Sequence, residues 1–398
     1  MAELTNIPGG KVIDEGFLAP NAPDIPEIAL REGDLAEERI SVATQRQLMW
    51  RRFRKHRVAL VAGVVVVFAY LVVIFAGFLA YASPEASDAQ LSLIRPQGIH
   101  FFDGHRFSPY VYALEGARDP KTFKRVYKPN PDKKIPVTLF ARGFEYKLFG
   151  LIPTDRHLIG LNARDAPPSL FLLGTDVQGR DVFSRLVYAT RISLTIGLVS
   201  VALSLFLGVF LGGLSGFYGG IVDTVIQRVI EILRSIPTIP LWMGLAAAVP
   251  RDWSIIRVYF VITIIISLIG WTGLARAVRG RFLSLREEDF VTAAELAGSS
   301  QLRIIFVHMV PLFLSNIIAD TTLALPAIII SETSLSFLGL GLRPPAVSWG
   351  VMLQQAQNIQ AIVISPWLLI PAIPVIVVIL AFNFLGDGLR DAADPYGV

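Results

Sequence analysis

Runs of apolar residues long enough to cross a bilayer recur along this chain, at 58–80, 192–216, 230–249, 258–274, 312–330 and 367–385. In hydrocarbon every backbone polar group must find a partner within the protein, so segments of this length are confined to helices. The expected fold is an all-α polytopic membrane protein with six transmembrane helices. Charged residues make up only 17% of the chain. Its net charge of +4 does not imply a nucleic-acid partner, because the arginines sit beside apolar runs, where orientation in the lipid bilayer accounts for them. Without cysteine there is no disulfide framework, thiolate metal site or cysteine nucleophile.

Charge sets the orientation. Residues 1–45 are rich in Pro, Gly and acidic residues, lack the apolar core of a cleavable signal, and read as a cytosolic tail. Arg46, Arg51, Arg52, Arg54, Lys55 and Arg57 then occur without an acid among them, directly before the first run, so that helix starts inside. Threading six spans puts loops 217–229 and 275–311 inside and makes both termini cytosolic. The short outside loops carry Arg251, Arg257 and Arg343. The Pro-rich, aromatic stretch 81–170 is too long for a turn and reads as an extracytoplasmic insert between helices 1 and 2. Two patterned runs in it, 136–141 and 144–149, read as strands paired around Arg142 and Gly143.

In the second span Ser200, Ser204, Gly208, Gly212, Gly216 and Gly220 repeat every four residues. Such a ridge marks close approach of two backbones, within the chain's own bundle or against a partner subunit.

The inside segment 288–311, EDFVTAAELAGSSQLRIIFVHMVP, is unusually patterned for a connection. Residues 289–297 favour helix, with Ala293, Ala294 and Ala297 offering a low-relief surface. Gly298 is a natural stop. Ser299 or Ser300 caps a second helix over 301–309, whose Leu302, Ile305 and Phe306 are expected to rest on the membrane or bundle. Pro311 limits the start of the next span. The reading is a helix–turn–helix across the cytosolic face, either an interfacial linker or a docking element.

Chemistry is sparse. No GxxxxGK[ST] phosphate loop occurs, so ATP-driven work needs a separate ATPase. His56, His100, His105, His157 and His308 are scattered and read as surface or interfacial residues rather than ligands. Gly213-Leu214-Ser215-Gly216 matches the GxSG of rhomboid-type intramembrane proteases, but that chemistry needs a membrane-embedded histidine base, and the one downstream histidine, His308, falls in the inside loop. Asp320 lies within the fifth run and Glu332 just past its end, with Asn316 one turn below Asp320. Charges in such positions are costly, so these three are candidates for lining a translocation path. Their structural alternative is a helix-to-helix hydrogen bond for Asp320 and an outer-interface position for Glu332. A secondary transporter would call for inverted repeats and a midplane ion site, neither of which is found.

The pattern AAELAG followed by Pro311 resembles the EAA loop of ABC-importer permeases, the element that inserts into the nucleotide-binding ATPase. Ala293, Ala294, Gly298 and Pro311 match, Glu295 occupies a variable position, and Thr292 stands where the family usually has an acid. Leu173-Gly174-Thr175-Asp176 with Gly179-Arg180-Asp181, then Ser334-Leu335-Ser336-Phe337-Leu338-Gly339, Ser348-Trp349-Gly350 and Leu385-Gly386-Asp387-Gly388 resemble, in order, the C-type permease of oligopeptide/dipeptide importers. The resemblance covers about 171–395 and implies a type I importer bundle: tail 1–45, basic segment and first helix 46–80, insert 81–170, and a core of five helices over 171–395 with coupling loop 276–311. It implies a plasma-membrane permease of bacteria or archaea that is itself no enzyme and holds no cofactor. ATP and Mg would belong to two partner ATPase subunits, with a B-type permease and a solute-binding protein completing the assembly. The implied solute is a peptide, with oligosaccharide, opine and nickel left open.

Overall fold

The computed structural model describes residues 45–103, 105–118, 125–161, 170–250 and 252–393. Residues 1–44 of the expected tail, Arg251, part of the insert and the C-terminal 394–398 lie outside these. Two compact units result, 1–48 and 49–398; the first is described only in the opening turn of α1 (Gln45–Lys55), and everything below belongs to the second.

The first span, α2 (Arg57–Ile74), starts where the His56 ring accepts the Ala59 amide at 3.1 Å and is followed by one short turn, Ala76–Leu79. The second, α3 (Val182–Tyr218), is capped by the Asp181 carboxylate and ends at Gly219 with φ 64°. At 1.5 Å per residue it is about 55 Å long, well beyond the about 30 Å of hydrocarbon. Then come α4 (Gly220–Ser235), α5 (Thr238–Ala247), α6 (Ile255–Leu285), α7 (Asp289–Leu296), α8 (Leu314–Phe337), α9 (Trp349–Gln354) and α10 (Ala372–Ala393).

Among the described residues five helices are long and apolar enough to cross a membrane, or six if α4 and α5 form one span. That pair revises the expected third span. The run 230–249 is no straight helix, because α4 and α5 meet at 85°. Pro237 has no amide hydrogen and drives Ile236 into extended backbone, φ −88° and ψ 129°.

The small-residue ridge of α3 faces α6 of the same chain. Ser267 Oγ donates to the Ser200 carbonyl at 3.2 Å, a Cβ on Gly270 would lie 2.6 Å from Ser204 Oγ, and one on Gly212 would lie 2.5 Å from the Ala275 carbonyl. Gly208 meets Leu274 and Gly216 meets Phe282 in the same way. Gly220 is not part of the ridge: it follows the break at Gly219 and faces open space. On the other side α10 packs between α8 and α2, with Gly386 against Leu323 and Gly388 against Ala59.

The insert is a four-stranded antiparallel meander, β1 (His100–Asp103), β2 (Arg106–Arg118), β3 (Arg125–Leu148) and β4 (Ile152–Leu161). The long β3 pairs with β2 along its first half and with β4 along its second. Thus 136–141 and 144–149 do not pair with each other. Residues 136–141 and 144–148 lie in one strand, interrupted by a register shift between Arg142 and Tyr146, and the chain turns at Phe149 and Gly150, φ 54° and 74°. A Cβ on Gly143 would run into the His157 ring. His157 is buried, not superficial, with its ring nitrogens 2.9 Å from the Gly77 carbonyl and 3.0 Å from that of Phe144.

Candidate functional site

The end of the bundle carrying residues 286–311 presents one projecting element. Its first helix, α7, begins at Glu288 with Asp289 in the first turn, where a negative charge favours the helix dipole. It closes in a Schellman arrangement: Gly298 N–H donates to the Glu295 carbonyl at 2.9 Å and Ser299 N–H to that of Ala294 at 3.0 Å. Gly298 has φ +76°, and a Cβ there would face open space. Alternation of faces then decides what α7 offers. Val291 is buried and Ala294 half-buried over Val278, Phe282, Ile304, Ile305 and Met309, whereas Thr292, Ala293, Glu295, Ala297 and Gly298 are exposed. Leu296 protrudes from the same outward surface, 85% exposed. No hydrophobic-face pattern in the sequence singles it out, because it reads as one more apolar residue in the run.

The second half differs from the expected helix 301–309. Only Gln301–Arg303 is α-helical, and Ser300 starts it without a side-chain cap. Ile304–Met309 widens into π-helical turns in which the Val310 amide reaches back to Ile305, and Val310–Phe313 tightens again before α8. Pro311, itself exposed, cannot donate an amide hydrogen, and pitch changes of this kind are common where a helix must absorb such a gap. The buried residues are Ile304, Ile305 and Met309; Leu302 and Phe306 are exposed.

Next to Val278, Arg279 of α6 donates from Nε and Nη2 to the two carboxylate oxygens of Asp223 on α4, and Ser215 Oγ of α3 donates to the same carboxylate. Ser215 is therefore committed to a structural hydrogen bond. No motif signals this clamp, since its members lie 8 and 56 residues apart.

The candidate path residues separate. Asp320 is exposed and borders two cavities, one of about 530 Å³ lined by Ser204, Trp242, Gly270 and Thr321, the other of about 490 Å³ shared with Asn316, Arg276, Arg281 and Arg390. Glu332 is fully buried, neither at the outer interface nor on either cavity, and accepts Ser193 Oγ and Ser336 Oγ, each at 2.9 Å. Ser193 Oγ in turn accepts the Trp349 amide at 3.2 Å, so Glu332 ties α3, α8 and α9 together.

At the insert end, the 173–181 motif fastens the strap 88–94. Thr175 Oγ1 accepts the Ile94 amide at 2.7 Å, and a Cβ on Gly179 would strike the Asp88 backbone. Asp176 takes Arg180 Nε at 2.7 Å and Gln355 Nε2 at 3.1 Å, with Arg185 at 3.6 Å. Asp181 accepts the Tyr81 hydroxyl at 2.8 Å and the Ser184 amide at 2.7 Å. Burial nevertheless pushes its pKa up to about 6.

Fold and site together define a polytopic membrane protein whose helix bundle carries an antiparallel sheet at one end and the projecting 286–311 element at the other. Residues 204–396 match the binding-protein-dependent transport system inner membrane component family, and residues 44–96 the N-terminal TM domain of oligopeptide transport permease C. The chain is 37% identical over 236 residues to the oligopeptide transport system permease protein OppC of Bacillus subtilis, covering 59% of this chain and 75% of that one. It is 39% identical over 238 residues to the OppC of Haemophilus influenzae, covering 59% and 74%. A solved MetNI methionine ABC transporter in an inward facing conformation aligns at 18% identity and TM-score 0.38, over 52% of this chain and 95% of that one. The chain belongs to the binding-protein-dependent transport system inner membrane component family.

Proposed function

We propose that this permease conducts peptides into the cytosol as one of two membrane subunits of an importer powered by separate ATPase subunits and loaded by an external solute-binding protein. The observation that carries the reading is the outward surface of α7, where Thr292, Ala293, Leu296 and Gly298 are all exposed on a helix whose other side is locked into the bundle through Val291. A rigid knob seated on α6 and on the 304–309 turns that lead into α8 transmits a push from a partner to both helices. ATP binding by the partner closes the ATPase pair, α7 follows, and the bundle moves from inward- to outward-facing. The arginines before α2 support an orientation with the α7 end in the cytosol of a bacterial cell. The peptide assignment is supported by the OppC relatives.

Reconstituting the chain with its partner subunits in vesicles tests this. Labelled peptide is expected to accumulate with ATP and the binding protein, and not with a proton gradient alone. Uptake on the gradient without ATP would overturn it. Within the site, Asp320 is the residue proposed to meet the substrate, since it borders both cavities. Glu332, which the sequence also nominates for the path, is proposed to act only through the packing of α3, α8 and α9.

A further inference from the structure

The second hairpin of the insert lies alongside the end of the first span rather than standing off from it. His157 of β4 holds the Gly77 carbonyl at 2.9 Å, and the Tyr146 ring of β3 packs so closely on Gly77 that no Cβ would fit there. Two ring contacts fix the direction of the hairpin. Phe140 meets Phe78 with centroids 5.9 Å apart, and Phe149, at the tip, meets Phe75 at 5.7 Å. Going from Phe78 to Phe75 moves toward the membrane, so the tip points back at the bilayer.

Depth follows from helix arithmetic. From Arg57 to Ile74 the first span rises about 27 Å, short of the about 30 Å of hydrocarbon. Phe75 is therefore still at the edge of the hydrocarbon, and Phe149 stands level with it. The neighbours of Phe149 have the right character for that depth: Leu151 is 82% exposed and Ile152 57%. Residues 148–153 carry no charge, while Lys147 on one side and Asp155 and Arg156 on the other flank them, the distribution expected of an interfacial segment. A turn in lipid must also satisfy its own backbone. Two of its amides find partners within the turn, Gly150 donating to the Lys147 carbonyl at 3.2 Å and Leu151 to that of Leu148 at 3.1 Å.

We infer that the β3–β4 tip, residues 148–153, dips into the bilayer leaflet at the insert end of the bundle and rests in lipid, extending the apolar surface that Phe68, Leu71 and Ile74 of α2 already present. Continuity with that surface selects lipid as the occupant. The β3–β4 hairpin is thereby held through His157 to the end of the first span and through its tip to the membrane.

Because the chain has no cysteine, a single nitroxide reports directly. Leu151→Cys and, as a second site, Ile152→Cys are labelled in the full chain assembled with its partner subunits in lipid nanodiscs, and the signal of the assembly lacking the introduced cysteine is subtracted. The exposed strand residue Asp132 supplies the aqueous reference as Asp132→Cys. Labels at 151 and 152 are expected to collide with oxygen more than with a water-soluble nickel chelate, and the label at 132 to show the reverse. If 151 and 152 meet the nickel chelate as readily as 132, the tip is in water and the inference fails. Shielding of both from oxygen and nickel alike, with or without added solute-binding protein, would mean a protein cover and would equally overturn it.

Discussion

Arg279 and Asp223 meet through two nitrogens and two oxygens, and this pair joins α6 to α4 next to Val278, which packs in the same core cluster as Val291 of α7. Both side chains are only partly exposed, a setting in which removing one partner leaves the other charge poorly compensated. Asp223→Ala is expected to lower unfolding stability by about 2 kcal/mol and to reduce uptake. The exchanged pair Asp223→Arg with Arg279→Asp should recover part of both. A double-mutant cycle on thermal unfolding checks this, and additive effects would show the two residues to be uncoupled.

The ridge of α3 predicts a contrast between two glycines. Gly212→Ala forces a methyl against the Ala275 carbonyl and should destabilise the bundle by about 1–3 kcal/mol. Gly244→Ala, within α5 and facing open space, should be neutral or stabilise by about 0.5–1 kcal/mol. Thermal unfolding in detergent ranks the two, and equal effects would contradict the backbone contact between α3 and α6.

Asp320 and Glu332 should fail differently. Asp320→Asn is expected to change the uptake of at least some peptides with the assembly intact, as its two cavities suggest. Glu332→Ala strands the Ser193 and Ser336 hydroxyls and should cost stability, about 2 kcal/mol, without altering which peptides compete. Competition assays beside unfolding curves separate the two, and a changed substrate ranking in Glu332→Ala would return that residue to the path.

Asp181 gives a pH dependence with a definite sign. Burial holds its folded-state pKa at about 6, above the about 3.9 of an unfolded aspartate. Protonation therefore favours the folded form: the contribution is complete below about pH 4 and is lost as pH rises through about 6, on the order of 3 kcal/mol in full. Unfolding temperature measured from pH 4.5 to 8 should fall across this window in the native chain and flatten in Asp181→Asn. Parallel profiles would show that Asp181 is not the group responsible.

How much of this was legible in the sequence depended on the range of the cause. The apolar runs gave the spans because length and composition alone confine such segments to helices in lipid. Gly298 was legible as a helix stop because a left-handed residue is a local demand. The 85° break before Thr238 was not, although Pro237 was visible, since a proline ends or merely kinks a helix according to what packs around it. The turn at Phe149 was missed because Arg142 and Gly143 looked more turn-like; Gly143 instead makes room for the His157 ring. Glu332 reads as interfacial because one of its two serine partners, Ser193, comes from α3, and the Asp223 clamp carries no signal for the same reason. In α7 the small residues divide, with Ala293 and Ala297 exposed and Ala294 half-buried against the core, and nothing in the sequence picks out Leu296, since facing in or out is decided by what lies beneath.

Leu296 provides the most direct test of the coupling reading. In Leu296→Asp, and independently in Ala293→Trp, membrane insertion and the unfolding temperature of the chain should stay close to native, because both side chains point away from the bundle. The measurement is the amount of ATPase subunit co-purifying with the chain from membranes, read beside ATP-dependent peptide uptake. Loss of both with the permease itself intact is the predicted result; native ATPase recovery and uptake in both variants would contradict α7 as the docking element.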